Sequence, residues 1–338
     1  MNSKQLLEKL FNKEDLTAEE ISFLLNEFIA GELNDSQMTA FLIALRMKGE
    51  TTDEIIGLIN TMREHMVAFP KISDAIDTCG TGGDGTGTFN ISTTVAFVVA
   101  GAGVPVIKHG NRAASSNCGS ADVLSELGVN TILQPSDAKK VFDKVGMIFL
   151  FAPLYHPATK RIVPIRKALG TRTVFNYLGP FLNPASVTRQ IIGVPNPEIA
   201  KTLANVATQL GYDHLFLVTS SSGLDEIDIN STTKLFEIKG KNISEKIIDP
   251  QVFGFKMSLR KEIQGGDAIE NAKILTDILL GKKSAKRDIV VLNSAYALVA
   301  AGKVSSATQG IDLAEKSIDS GAAFGVLKNL IKETQSYA

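Results

Sequence analysis

A chain of 338 residues is long enough to bury more than one hydrophobic core, so two domains are expected. Its 35 lysines and arginines nearly balance 36 aspartates and glutamates, leaving a net charge of −1; this argues against a surface that coats nucleic acid but leaves room for a local basic pocket. Cys79 and Cys118 stand far apart with no zinc or disulfide spacing, and neither a secretory leader nor a membrane-spanning run is evident, so a cytoplasmic protein with no membrane or nucleic-acid partner is expected.

Residues 1–70 read as a small unit of short amphipathic helices. Leu6, Leu7, Leu10 and Phe11 make one apolar stripe. Thr17-Ala-Glu-Glu20 is a capping box opening a helix over 21–29, with Gly31 as its stop. Asn34 or Asp35 caps 38–47, and Thr51-Thr-Asp-Glu54 is a second box, opening 55–66. From about residue 74, β-branched runs alternate with helical segments. Strands are expected at 104–107, 131–133, 147–151, 190–194 and 215–219, and helices at 121–127, 138–145 and 197–210. The stretch 272–332 reads as helical, with 287–301 buried. The fold class is therefore α/β: a small N-terminal all-helical domain (1–70) and a larger α/β domain (71–338) with a mostly parallel central sheet flanked by helices. The Gly-, Pro- and Asn-rich stretch 170–184 is a hinge candidate, and residues 155–185 are expected to cross back to the helical unit.

Residues 77–97, DTCGTGGDGTGTFNISTTVAF, hold glycines at 80, 82, 83, 85 and 87. Gly80-x-Gly82-x-x-Gly85 matches a dinucleotide fingerprint by spacing. However, Gly-Thr-Gly-Thr-Phe falls where that helix should have begun, and no acidic residue closes a second strand about 20 residues on. A Walker loop fails for want of a lysine between 72 and 107. A phosphate cradle of another type remains, built from backbone N–H groups and the N-terminus of a helix starting near Ser92. Asn90, Ser92, Thr93 and Thr94 would supply cap oxygens; a flexible, capped glycine turn is the bland alternative.

The next segment favours the cradle. KHGNRAASSNCGSAD (108–122) brings the cations Lys108 and Arg112, the directional groups of His109 and Asn111, and the hydroxyls of Ser115, Ser116 and Ser120. Gly110, Ala113 and Ala114 allow close approach, and the set suits several phosphate oxygens beside a strand end. In SSGLDEID (221–228), Asp225 and Glu226 are adjacent on a loop. Such a pair suits Mg2+ shared with phosphate oxygens, or else a solvated acidic turn.

In DTCGTGGDGTGTFNIST, KHGNRAASSNCGSADVLSELGV, PIRKALGTRTVFNYLGPFLNPA and GLDEI, in that order, the chain resembles the anthranilate phosphoribosyltransferase family over nearly its whole length. The resemblance implies an active site in the cleft between the two domains of a homodimer, with 5-phosphoribosyl 1-diphosphate (PRPP), anthranilate and two Mg2+ ions. It implies that Gly80, Gly83, Asp84, Thr88, Asn90, Ile91, Ser92 and Thr93 contact PRPP. Lys108, His109, Gly110, Asn111, Arg112, Ala113, Ala114, Ser115, Ser116 and Ser120 would complete that pocket. Ser92 with Glu226 would hold one Mg2+, and Asp225 with Glu226 the other. Anthranilate would lie against Gly80, Asn111 and Arg166, with His109 and His156 along its route.

No single acid or base is expected; Lys108 and Asp84 act electrostatically. Two departures stand out: Val-Thr-Ser-Ser (218–221) precedes the acidic turn where the family often has His-Gly, and Asp228 stands where a small hydroxyl residue is common. The rival readings are a pyrimidine nucleoside phosphorylase, which needs no Mg2+, and a non-enzymatic nucleic-acid-binding relative, which the balanced charge disfavours. An amidotransferase partner is open, though nothing in the chain points to one.

Overall fold

The computed structural model describes residues 2–113 and 117–337. Four helices come first: α1 (Ser3–Phe11), α2 (Ala18–Ala30), α3 (Asp35–Lys48) and α4 (Thr52–Glu64). Both threonine boxes form as read, Thr17 with Glu20 and Thr51 with Glu54. Asn34 caps α3 through a third box closed by Gln37, and Gly31 ends α2 at φ 97°. Phe11 corrects the stripe: α1 buries Leu6, Leu7 and Leu10 but leaves Phe11 51% exposed. At 100° per residue Phe11 stands about 90° from the centre of the arc those leucines define.

The α/β part runs β1 (Ile76–Gly80), α5 (Ile91–Gly101), β2 (Val106–Gly110), α6 (Ser120–Glu126), α7 (Pro135–Val145) and β3 (Met147–Phe151). It continues through α8 (Ala152–Tyr155), α9 (Thr159–Leu169), α10 (Phe175–Leu178), β4 (Arg189–Gly193), α11 (Pro197–Gln209) and β5 (His214–Ser220). The hairpin β6 (Thr233–Lys239) and β7 (Asn242–Ile248) follows, then α12 (Ala268–Leu279), α13 (Ala285–Ala300), α14 (Ala307–Asp319) and α15 (Ala322–Gln335). Among the described residues, seven strands lie in the order β3-β2-β1-β4-β5-β6-β7. β3 to β5 are parallel, and β6 and β7 extend the sheet antiparallel.

Residues 131–133 form no strand. They link α6 to α7 with Ile132 turned to solvent, and the neighbouring Asn130 N–H is taken by the Thr334 hydroxyl of α15 at 3.1 Å, away from the sheet.

Period-two alternation covers both faces of the sheet. In β5, Phe216 and Val218 join one core with α5 and α13, while Leu215 and Leu217 join another. That second core runs on without a break into the helical bundle. Ile162, Ile165, Phe175, Leu178 and Phe181 lie in it with Leu24, Phe28, Leu42 and Ile59. The chain builds outward from β1 to β3 and then returns to β4 on the other side of β1. Between β1 and β4, therefore, the strand order reverses and a crevice opens at the carboxyl ends of the strands. Among the described residues no helix is long and apolar enough to cross a membrane.

Candidate active site

Three loops leave the carboxyl edge of the sheet side by side: the glycine loop after β1, the basic loop after β2 and the acidic turn after β5. The acidic turn folds back over the ends of β1 and β4. A side-chain carbon at Gly193 would stand 1.5 Å from the Asp225 carbonyl oxygen, and one at Gly80 would stand 2.3 Å from the Asp225 carboxylate. Only glycine at both strand ends lets the turn close there. Asp225 Oδ2 accepts the Gly82 N–H at 2.8 Å. Burial, then the charge of Asp84, pushes the Asp225 carboxyl up to about 7. Burial and the charge of Asp225 push Glu226 up as well. The charge of Asp84 thus bears on both Asp225 and Glu226, with Lys108 as the opposing cation, while among the described residues no three His, Cys, Asp or Glu side chains are grouped closely enough to hold a metal ion by themselves.

Lys108 is 2% exposed, its ammonium donating to the Thr78 carbonyl and, at 3.4 Å, to Ser92 Oγ. Asp84 accepts the N–H and the hydroxyl of Thr86, which curls its loop. Gly83 abuts Arg172, and Thr88 pairs with Gln264.

Asn90 precedes α5, which starts at Ile91 rather than Ser92, but its side chain does not cap the helix. It reaches sideways instead, donating to Cys118 O at 3.2 Å and accepting from Asn271 Nδ2 at 3.1 Å. The expected cap oxygen of Thr94 likewise donates backwards, to Asn90 O. Ile91 and Thr93 are buried, and the Ile91 N–H is taken by the Phe89 carbonyl at 2.7 Å.

In the basic loop, Arg112 is paired with Asp122 at 3.1 Å and lies over Phe151, while Asp122 Oδ2 gathers the N–H groups of Ala113 and Gly119, each at 2.9 Å. Gly110 lets Ser120 Oγ come close, and the Asn111 carbonyl accepts from Ser120 Oγ at 3.3 Å. Ala114, Ser115 and Ser116 lie outside the described residues. His109 and His156 stack edge to face with ring centres 5.0 Å apart. Burial lowers their pKa values to about 3 and about 4, with the neighbouring His156 adding to the shift at His109, so both are neutral at pH 7. Arg166 comes from α9 and stands 5.9 Å from the centre of the Phe175 ring, with no carboxylate partner among the described residues.

Residues 72–324 match the glycosyl transferase family a/b domain, and residues 4–66 match the helical bundle domain of the same family. An anthranilate phosphoribosyltransferase of Pelotomaculum thermopropionicum is 44% identical over 332 residues, covering 98% of this chain and 96% of that one. The chain belongs to the anthranilate phosphoribosyltransferase family. The crystal structure of the family member from Thermus thermophilus superposes with a TM-score of 0.92 at 34% identity, covering 98% of this chain and 99% of the other. The Saccharomyces cerevisiae member, solved in complex with PRPP and Mg, superposes at 0.91 with 29% identity over 99% of this chain and 98% of that one.

The family's reaction, the second step of tryptophan biosynthesis from chorismate, is this chain's. It transfers the 5-phosphoribosyl group of PRPP to the amine of anthranilate, giving N-(5-phosphoribosyl)anthranilate and pyrophosphate. The phosphorylase and nucleic-acid readings fall. Four positions that sequence reasoning passed over take part in the cleft's architecture: Asp77, Asp122, Arg172 and Asn183. Asp77 is buried on β1, beside Lys108's strand, its carboxyl raised to about 6 by burial against the opposing pull of Lys108, and it accepts from Asn183 Nδ2 at 2.9 Å. A carboxylate opening the quoted stretch DTCG was the available signal for it; Arg172 had one in its place within GTRT.

Proposed function

We propose that the cleft at the β1–β4 reversal binds PRPP with two Mg2+ ions, and that anthranilate enters past His109 and His156 to meet Arg166 and Asn111. The adjacent Asp225 and Glu226 on a turn fastened to the glycine loop through Gly82, with the buried Lys108 opposing their charge, carry this reading. Such hard oxygen donors fit Mg2+, and Ser92, Asp225 and Glu226 would hold it. Bound there, Mg2+ would supply charge neutralisation for the departing diphosphate.

The chain's own residues would then do the following. The glycine-loop N–H groups and the N-terminus of α5 bind phosphate oxygens, and Lys108 adds a fixed positive charge that needs no reorganisation. The guanidinium of Arg166 takes the anthranilate carboxylate in a fork, orienting the amine toward C1 of the ribose. The neutral rings of His109 and His156 offer apolar faces and no competing charge. The C1–oxygen bond to diphosphate breaks as the C1–nitrogen bond forms on the opposite face; diphosphate carries away the electron pair and the amine then loses a proton. An aromatic amine attacks in its neutral form, so electrostatics and positioning supply the rate.

Consumption of anthranilate, followed by its fluorescence, is expected to require both PRPP and Mg2+. Lys108→Ala and Asp84→Ala are each expected to cut kcat/KM by about a hundredfold or more. Full activity in either variant refutes the residue assignment.

A cytoplasmic homodimer belongs to the same proposal. Phe11, Met47 and Val163 are exposed apolar residues on α1, α3 and α9, with α3 packed between the other two, so they can share one face for a second copy. Light scattering should give twice the chain mass, and charged residues at Phe11 and Met47 should shift it to the monomer.

A further inference from the structure

Arg172 reaches the glycine loop from the far side of the cleft. It follows α9, in the segment whose apolar side chains share the helical bundle's core. Its Nη1 donates to the Gly82 carbonyl at 3.0 Å and the Gly83 carbonyl at 2.8 Å, and its guanidinium lies 5.7 Å from the Tyr177 ring centre. Nη2 is buried and has no partner among the described residues. Behind it, Arg46 in the last turn of α3 donates to the Arg172 carbonyl and to Thr171 Oγ1. The bundle therefore holds the residue that holds the loop.

Peptide geometry turns this contact into a consequence for ligands. In a trans peptide the C=O and the following N–H point in opposite directions. Fastening the carbonyls of Gly82 and Gly83 on the Arg172 side sends the N–H groups of Gly83 and Asp84 the other way, and neither has an acceptor among the described backbone groups. The contact also constrains residue type, because a side-chain carbon at Gly83 would stand 1.8 Å from Arg172 Nη1, and Gly83 adopts φ 72°.

We propose that Arg172 is a positioning residue for PRPP. It is a latch from the helical side that keeps the Gly83 and Asp84 N–H groups free as phosphate donors, and through Arg46 it makes the cradle depend on how the bundle is seated. This rests on the reading of the glycine loop as the PRPP cradle.

The test is steady-state kinetics and calorimetric titration with PRPP and MgCl2 on the full chain. Arg172→Ala is expected to raise KM and Kd for PRPP about tenfold while kcat and the KM for anthranilate stay within about twofold, the pattern of a lost ground-state contact. Arg46→Ala should act in the same direction more weakly. The double variant should be no worse than Arg172→Ala, because residues acting in series are not additive. Arg172→Lys keeps the charge but loses the planar fork, so it should fall between, and it decides the matter if Arg172→Ala does not fold. A PRPP KM within twofold of wild type in the folded Arg172 variant, or additive effects of the two arginines, overturns the latch. Asp84→Ala separates the two readings: if it too leaves PRPP affinity intact, the cradle itself is wrong, whereas weakened binding there with unaffected Arg172 variants condemns the latch alone.

Discussion

His109 and His156 are basic groups held neutral by burial, and their shifts have a definite sign. Depressed pKa values of about 3 and about 4 mean that the folded state binds fewer protons than the unfolded chain once the pH drops below the usual imidazole range. Their contribution is fully present above pH ~6.5 and is lost as the pH falls toward 4 and then 3. The raised carboxyls of Asp77 and Asp225 act in the opposite sense, favouring the fold as acid protonates them. A His109→Asn/His156→Asn variant should therefore lose less melting temperature than wild type between pH 6.5 and 4.5, measured calorimetrically without ligands. An equal loss would show that the pair does not titrate with unfolding.

Gly193 gives a second prediction at this scale. Gly193→Ala puts a methyl carbon into the Asp225 carbonyl, so the acidic turn must lift off β4. Activity should fall by about a hundredfold or more, with a stability loss of about 1–3 kcal/mol by denaturant titration. Near-normal turnover would mean that the turn is not needed where it sits.

The acidic turn is held as an element by Asp228, three residues after Asp225. Its buried Oδ2 accepts from Ser222 Oγ at 2.7 Å, Ser231 Oγ at 3.0 Å and Ser220 Oγ at 3.4 Å, and its Oδ1 accepts the Asn230 N–H at 2.8 Å. The two departures from the family pattern thus meet each other: the serines preceding the turn and the aspartate following it form one network. Neither was interpretable alone in the sequence, because residues eight positions apart on either side of a turn show no periodicity that would pair them. Asp228→Ala should remove the acceptor those hydroxyls share, lower stability by about 1–3 kcal/mol and raise the Mg2+ concentration needed for half-maximal rate. Asp228→Asn, which retains one acceptor, should do less. Unchanged Mg2+ dependence in the alanine variant would separate the network from the metal site.

The molecule as a whole is organised by a core that ignores the boundary between its two domains. Phe28 and Leu42 of the bundle, Phe175 and Phe181 of the crossing segment, and Leu217 of the sheet belong to one cluster. A fragment comprising residues 1–70 would expose much of that surface, at a cost of about 25 cal/mol for each Å2 of apolar area left in water. Such a fragment should show helix by circular dichroism without a cooperative thermal transition. A sharp two-state melt would establish the bundle as an autonomous unit.

The capping boxes at Thr17 and Thr51, the strand at 147–151 and the phosphate and acidic loops were legible in the sequence because each rests on neighbours in the chain: a cap and its third residue, a hydrophobic period, a run of glycines. The family could be read from the same stretches, since its motifs are contiguous. What only the tertiary structure decided are the long-range pairings. Arg172 lies on the carbonyls of residues 89 and 90 positions earlier, Asp225 crosses Gly80 and Gly193, and Asn90 turns away from its helix to Asn271. The hairpin β6–β7, the failure of 131–133 to join the sheet and the exposure of Phe11 belong with them. Each depends on which surfaces the folded chain leaves free, and local propensity carries no information about that.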